Sequence, residues 1–245
     1  MKQSVFTVKE NTPLSPRMSR LRLLGDSSAI TRPGQFVSLA LPGFFLRRPF
    51  SVCDWDASGV QLVYEQVGKG TGAMRALKEG DTLDVLTGLG NGFDLDRAGS
   101  APLLVGGGSG VSPMLGLARR LLVRGVKPTV VFGFASRDEV ILREDFRLLG
   151  VTPLFTTADG SFGLRGLVTD ALAGLEPSFF YACGPVAMLR AVAEKCEADG
   201  QLSFDARMGC GFGVCMGCTR MTQSGPKRVC RDGPVFDKEE IVWED

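Results

Sequence analysis

The chain has 245 residues, 44% of them hydrophobic, which is enough for a sizeable core divided between two modest domains. Its 28 lysines and arginines nearly balance its 27 aspartates and glutamates, so no bulk electrostatic pull toward nucleic acid or an anionic membrane operates. There is no histidine, which excludes Ser-His-Asp and Cys-His catalysis, histidine-ligated zinc or haem, and Rieske centres together.

The N-terminus, MKQSVFTVKENTPLSPRMSRLRLL, alternates apolar and polar residues, lacks the apolar h-region of a signal peptide, and no run of 18 apolar residues follows anywhere. A soluble cytoplasmic protein is expected. Short strands bounded by Gly, Pro, Asn or Asp are predicted at Ser4–Lys9, Met18–Leu24, Gln35–Ala40, Phe50–Asp54, Val60–Gln66 and Thr82–Leu86, a pattern that suggests a small antiparallel β-barrel over residues 1–98. A helix over Thr71–Leu77 interrupts them.

Within this half two stretches carry polar chemistry. RRPFSVCDWD puts Arg48, Pro49, Phe50 and Ser51 at a strand start; arginine can hold a pyrophosphate bidentately and serine can hydrogen-bond a ring nitrogen. Taken alone, the tetrapeptide reads more simply as polar residues flanking a strand. GKGTGAMRAL places Gly70 and Thr71 at a helix start, where free N–H groups favour phosphate; a plain N-cap accounts for it equally well.

From Ala101 the pattern changes to strands alternating with helical segments, which means a parallel sheet over residues 99–200 with its ligand crevice at the carboxyl ends of the strands. LLVGGGSGVSP follows a strand and opens a helix, the setting in which Gly106, Gly108, Gly110 and Pro113 let backbone approach a dinucleotide. The full G-x-G-x-x-G with its acidic residue is absent, so a glycine-rich turn without a ligand remains open, and no P-loop occurs. After TVVFGFAS come Arg137, Asp138 and Glu139; the first suits a 2′-phosphate and the other two a free ribose hydroxyl, leaving NAD against NADP undecided. Cys183 ends a strand in YACGP, where such sheets present catalytic groups, whereas Cys53 and Cys196 read as small core residues.

Residues 201–245 are short and rich in cysteine and glycine, too small to fold without a staple. Cys210, Cys215, Cys218 and Cys230 give C-x4-C-x2-C-x11-C, the plant-type [2Fe–2S] spacing with a distant fourth ligand. Glycines 209, 211, 213 and 217 would let the backbone wrap and aim N–H groups at sulfur. Structural zinc and unligated thiols are the alternatives, and zinc more often takes paired C-x2-C hooks.

R-P-F-S, G-K-G-T, G-G-G-S-G-V-S-P and Y-A-C-G-P in that order resemble the ferredoxin–NADP reductase superfamily of FAD oxidoreductases. With RMGCGFGVCMGC and Cys230, the whole chain resembles the electron transfer subunits of NAD-dependent (class 1B) dihydroorotate dehydrogenases. That resemblance implies an FAD held by Arg48 to Ser51, lined by Val63, Tyr64 and Glu65 and bound through phosphate at Gly70 and Thr71. Glu65 departs from the arginine common in relatives. It also implies a [2Fe–2S] cluster on the four cysteines, NAD as electron acceptor, and an FMN-containing catalytic partner subunit in a 2+2 heterotetramer, serving pyrimidine biosynthesis. Small subunits of sulfide dehydrogenase or of NADH-dependent ferredoxin:NADP oxidoreductase share this layout, and a zinc-stapled flavin-binding regulatory module is the rival of another class.

Overall fold

The computed structural model describes residues 1–243. Strands β1 (Lys2–Pro13), β2 (Met18–Leu24), β3 (Phe36–Ala40), β4 (Arg48–Asp56), β5 (Gly59–Glu65) and β6 (Thr82–Leu89), with helix α1 (Lys69–Met74) between the last two, close into an antiparallel barrel of order β1-β2-β5-β4-β3-β6. Alternation decides what fills it: Val37 and Leu39 of β3, Val52 of β4, and Val60, Leu62 and Tyr64 of β5 point inward onto Phe6, Leu21 and Leu23. β1 runs longer than expected and carries a bulge between Val8 and Glu10. α1 starts earlier than expected, with Gly68 as its N-cap, so Thr71 sits inside the first turn.

The second unit comprises β7 (Pro102–Gly107), α2 (Ser112–Val123), β8 (Thr129–Phe134), α3 (Arg143–Leu148), β9 (Leu154–Thr157), β10 (Leu164–Arg165), β11 (Phe179–Cys183), α4 (Val186–Lys195) and β12 (Gly200–Ser203). The C-terminal segment adds β13 (Thr219–Thr222), β14 (Gly225–Arg228) and β15 (Val235–Asp237). The sheet order is β10-β9-β8-β7-β11-β12-β15. It is parallel except for β15, which pairs antiparallel with β12. β7 therefore has β8 on one side and β11 on the other, the strand-order reversal outside which α/β sheets bind ligands.

Two features differ from the expected organisation. β12 spans the anticipated 200/201 boundary and belongs to the sheet. The cysteine-rich segment is also not free-standing, because β15 extends that sheet and Asn91, just beyond β6, fastens it: the Asn91 side chain donates to Val235 O at 2.7 Å and accepts from Val235 N at 3.1 Å. Contacts of this sequence separation replace the missing core of a segment too small to fold alone.

The barrel and the sheet are packed together through α2 and β4. At Gly116 an added Cβ would lie 2.8 Å from the Cys53 carbonyl oxygen. Asp54 accepts from Arg119 Nε at 2.7 Å and from Arg120 Nη1 at 2.9 Å, and the Arg120 guanidinium lies 3.1 Å from the Trp55 ring centroid. Arg20 of β2 grips both oxygens of Asp145 at 2.6 and 2.7 Å. Charge-assisted and stacked guanidinium contacts fix orientation as well as proximity, so the surfaces meeting between the two units are held in register. Among the described residues no helix is long and apolar enough to cross a membrane.

Candidate redox site

The outer face of β4 is where the flavin-site expectations converge. Pro49 pairs with Ser38 and Ser51 with Phe36 across the β3–β4 ladder, and directly opposed residues share a face. Phe50 turns the other way, edge-to-face with the buried Tyr64 at 6.2 Å. Arg48 is aimed by its neighbours: Nη1 donates to Leu46 O at 2.6 Å and the guanidinium lies over Phe44 at 5.2 Å. A Cβ on Gly70 would fall 2.8 Å from Arg48 Nε. Two phosphate-binding candidates from separate stretches thus occupy one spot, with glycine leaving room for the guanidinium.

Other expected residues stand differently. The Tyr64 side chain faces the barrel core and its hydroxyl donates to Asn11 Oδ1 at 3.0 Å, so only its backbone lies toward the outer face. Burial holds that phenol above its ordinary range. Val63 faces outward and joins the apolar cluster of Val111 and Met114 from the second unit. Glu65 pairs with Arg17 at 2.7 Å, a partner that no motif announces. Thr71 Oγ1 accepts from Val67 N at 3.0 Å and Gly68 N at 3.2 Å, so this hydroxyl closes its own turn and the phosphate-facing groups left are backbone N–H.

Of the four glycine-turn residues, only Gly108 opens onto the cavity of about 430 Å³ at the carboxyl ends of β7, β8 and β9. Gly106 packs against Phe132 and Val111, and Pro113 starts α2. At Gly110 a Cβ would meet the Cys183 carbonyl oxygen at 2.2 Å, a close approach that only glycine permits. The turn and the Cys183 strand end are therefore seated on each other at the order reversal. Burial pushes the Cys183 thiol up to about 12 despite a hydrogen bond with Ser203, which keeps it protonated at neutral pH. Cys53 is pushed up to about 12 by the same cause, as a core thiol should be.

The cysteine loop lies against the barrel: a Cβ on Gly211 would be 3.8 Å from Ser38 Oγ, and Ser38 pairs directly with Pro49. The loop thus rests on β3, and β3 lies one strand spacing, roughly 4.8 Å, from the β4 surface expected to face a flavin. The four thiols stand as two pairs, Cys210 hydrogen-bonded with Cys215 and Cys218 with Cys230. Among the described residues no three Cys, His, Asp or Glu side chains converge on a point suited to one metal ion. Two pairs of thiols, in the order Cys210–Cys215 and Cys218–Cys230, fit a dinuclear cluster in which each iron takes two.

The backbone serves those sulfurs. Val214 N and Cys215 N donate to Cys210 Sγ at 3.3 and 3.5 Å, and Cys230 N to Cys218 Sγ at 3.4 Å. Burial alone would raise the Cys210 thiol, but the N–H groups of Cys215, Phe212 and Val214 outweigh it and bring it down to about 6, favouring the thiolate that iron requires. Gly213 has φ +93° with Arg231 against the place of its missing Cβ, and Gly211 is also left-handed. Gly209 and Gly217 are not; their missing Cβ atoms would stand 3.2 and 3.6 Å from Cys215 Sγ, so these two leave room beside the sulfur. Arg228 Nη1 holds the Gly213 carbonyl at 2.9 Å while its guanidinium pairs with Asp232, pinning the loop to β14.

Residues 205–242 match the iron-sulfur cluster binding domain of dihydroorotate dehydrogenase B, and residues 104–194 an oxidoreductase NAD-binding domain. The electron transfer subunit of dihydroorotate dehydrogenase B (NAD(+)) from Bacillus caldolyticus is 42% identical over 97% of both chains. The chain belongs to the dihydroorotate dehydrogenase B electron transfer subunits. The corresponding subunit of Listeria monocytogenes serotype 4a is 39% identical over 98% of this chain and 99% of its own. A solved NADH-dependent reduced ferredoxin-NADP oxidoreductase is 30% identical with TM-score 0.88, covering 98% of this chain and 90% of its own. The ferredoxin NADP+ reductase of Neisseria gonorrhoeae, solved with bound FAD and NADP, shares the fold at TM-score 0.69 and 17% identity over 80% of this chain and 90% of its own. Set against the dihydroorotate dehydrogenase B family, the paired thiols occupy the iron–sulfur domain, and the Gly110–Cys183 contact joins the two ends of the NAD-binding match.

An expected consequence concerns Arg48. A charge-assisted bidentate contact to pyrophosphate contributes on the order of 1.5–3 kcal/mol. Arg48→Ala should therefore emerge pale in flavin and regain it on adding FAD, with affinity lowered by roughly ten- to a hundredfold in a fluorescence titration. Unchanged affinity would remove Arg48 from the flavin site.

Proposed function

We infer that the chain is the relay component of a dihydroorotate dehydrogenase B, carrying electrons from an FMN-containing catalytic subunit through a [2Fe–2S] cluster and FAD to NAD+ in pyrimidine synthesis. The single observation that carries the reading is the adjacency of the paired-thiol loop and the β4 face, with Gly211 against Ser38 and Ser38 against Pro49, in a chain about 40% identical to such subunits along nearly its whole length.

When bound, the cluster would supply single-electron exchange and the flavin the conversion of two such electrons and a proton into one hydride. The residues supply position. Cys210, Cys215, Cys218 and Cys230 would hold the irons, with backbone N–H groups stabilising sulfur charge. Arg48 and the Gly70 turn would fix the flavin's pyrophosphate, and Pro49 and Ser51 would present its ring toward the cluster loop. Cys183, whose carbonyl oxygen is seated on Gly110, would keep the nicotinamide end of the second nucleotide in place. Dihydroorotate chemistry is assigned to the partner, since the relatives of this chain are named electron transfer subunits. A 2+2 assembly, the closed two-fold arrangement commonest among oligomers, and a cytoplasmic location complete the proposal. A ferredoxin:NADP oxidoreductase subunit is the second reading, favoured by the TM-score of 0.88 but at 30% identity.

Reconstitution tests the reading. The purified chain loaded with FAD and cluster should reduce artificial dyes with NADH yet leave dihydroorotate unoxidised, and adding the FMN subunit should yield dihydroorotate-dependent NAD+ reduction. Turnover of dihydroorotate by the chain alone, or none after mixing, would count against it.

A further inference from the structure

The cavity beside the glycine turn has a single ionisable residue in its wall. Glu139, in the short turn after β8, lines it together with Gly108, Ala135, Thr156, Pro185 and Met188, among others that are all uncharged. Its carboxylate accepts one long hydrogen bond, from Ala135 N at 3.4 Å, and no cation is paired with it among the described residues. Arg137, two residues earlier, is turned elsewhere: its Nε donates to Ser161 O at 3.0 Å, its backbone N to Ser161 Oγ at 2.7 Å, and its guanidinium faces Phe162 at 5.7 Å. The aliphatic stem of Arg165 runs along Gly160, its Cδ 3.0 Å from the place of the Cβ that glycine lacks, and Arg165 is not part of the cavity lining.

We propose that Glu139 sets the choice of nicotinamide dinucleotide, accepting hydrogen bonds from the free ribose hydroxyls of NAD(H) and repelling the 2′-phosphate of NADP(H). A carboxylate at the end of the second strand of such a sheet is placed to accept from a 2′-hydroxyl. A 2′-phosphate there would bring like charge against like charge in a wall offering no compensating cation, a repulsive element of the kind that specificity requires. The motif stretch Arg137-Asp138-Glu139 leaves the choice open in sequence. The side-chain directions close it, because the one cation of the three is held by Ser161 and Phe162 while Glu139 meets the cavity. This inference rests on the reading of that cavity as the nucleotide site.

The test uses the holoprotein and two adenosine-end probes that cannot transfer hydride, ADP-ribose and 2′-phospho-ADP-ribose, with affinities measured by calorimetry. The unaltered protein should bind ADP-ribose at least about tenfold more tightly, the size of effect expected when a charged hydrogen-bonding group is matched or opposed. Glu139→Gln should narrow that ratio severalfold, and Glu139→Arg should reverse it. A blocking variant, Ala187→Trp in the cavity wall, should weaken both probes tenfold or more. If it weakens both while the Glu139 variants leave the ratio within twofold of the original, the assignment of Glu139 falls and the site stands. If Ala187→Trp affects neither probe, the cavity is not the nucleotide site and both fall.

Discussion

Cys218→Ser is expected to abolish the iron–sulfur absorption while FAD stays near stoichiometric. Cys218 is 5% exposed, accepts the Cys230 N–H, and is hydrogen-bonded with the Cys230 thiol, so the substitution removes one of the two thiols available to one iron. A hydroxyl is a poor replacement for thiolate at a soft-ligand site. The residues proposed to hold the flavin, Arg48, Ser51 and Gly70, belong to the barrel unit, whose core of Val37, Leu39, Leu62 and Tyr64 contains no residue of the cysteine loop. NADH-dependent dye reduction should therefore persist and dihydroorotate-coupled NAD+ reduction should fall to background. Iron analysis and the visible spectrum of the same sample read both outcomes. Loss of flavin together with iron would mean that the contacts of the cysteine segment with β3, at Ser38 and Phe36, are part of the flavin site's framework.

The sequence carries the barrel and the cluster cysteines because both rest on local or spacing signals. Period-two alternation marks strands such as β5, and C-x4-C-x2-C has a fixed spacing. What escaped it depends on long-range packing. β15 is three residues, too short for any period, and becomes a strand only by pairing with β12. The Asn91 tether joins residues 144 apart, for which a sequence has no local mark. β3 reads as a strand, but both its faces are covered, one by the barrel core and the other by the cysteine segment through Phe36 and Ser38; composition cannot say which neighbour covers which face. Tyr64 lies beside Val63, and only the closed barrel decides that the tyrosine turns in and the valine out. Glu65 and Thr71 follow the same logic, because motif position leaves their side-chain partners, Arg17 and the Val67–Gly68 backbone, unspecified. Cys183 shows the same limit: its place at a strand end is legible, but not that its carbonyl oxygen is seated on Gly110.

Phe212→Asp combined with Val214→Asp should uncouple the two subunits while sparing each one's own chemistry. Around the thiol loop Phe212 is 41% exposed, Val214 73% and Met216 51%, an apolar surface directly over the redox group. On the proposed relay, single-electron exchange needs the donor to come close, so the partner is expected to cover this loop, where apolar residues gain by being covered. Burying each contributes roughly 1.5–3 kcal/mol, and a carboxylate in its place adds the cost of an unpaired charge in a dry interface. The double substitution should weaken association with the FMN subunit by more than about a hundredfold. Iron, flavin and NADH-dependent dye reduction should stay at the level of the unaltered chain. Coupled activity should fall at equal subunit concentrations and recover as the partner is raised in excess, which separates lost docking from lost electron transfer. Val123→Asp, 83% exposed at the end of α2, is the control and should change neither. Coupled activity unaffected by the loop aspartates would move the docking face away from the cluster.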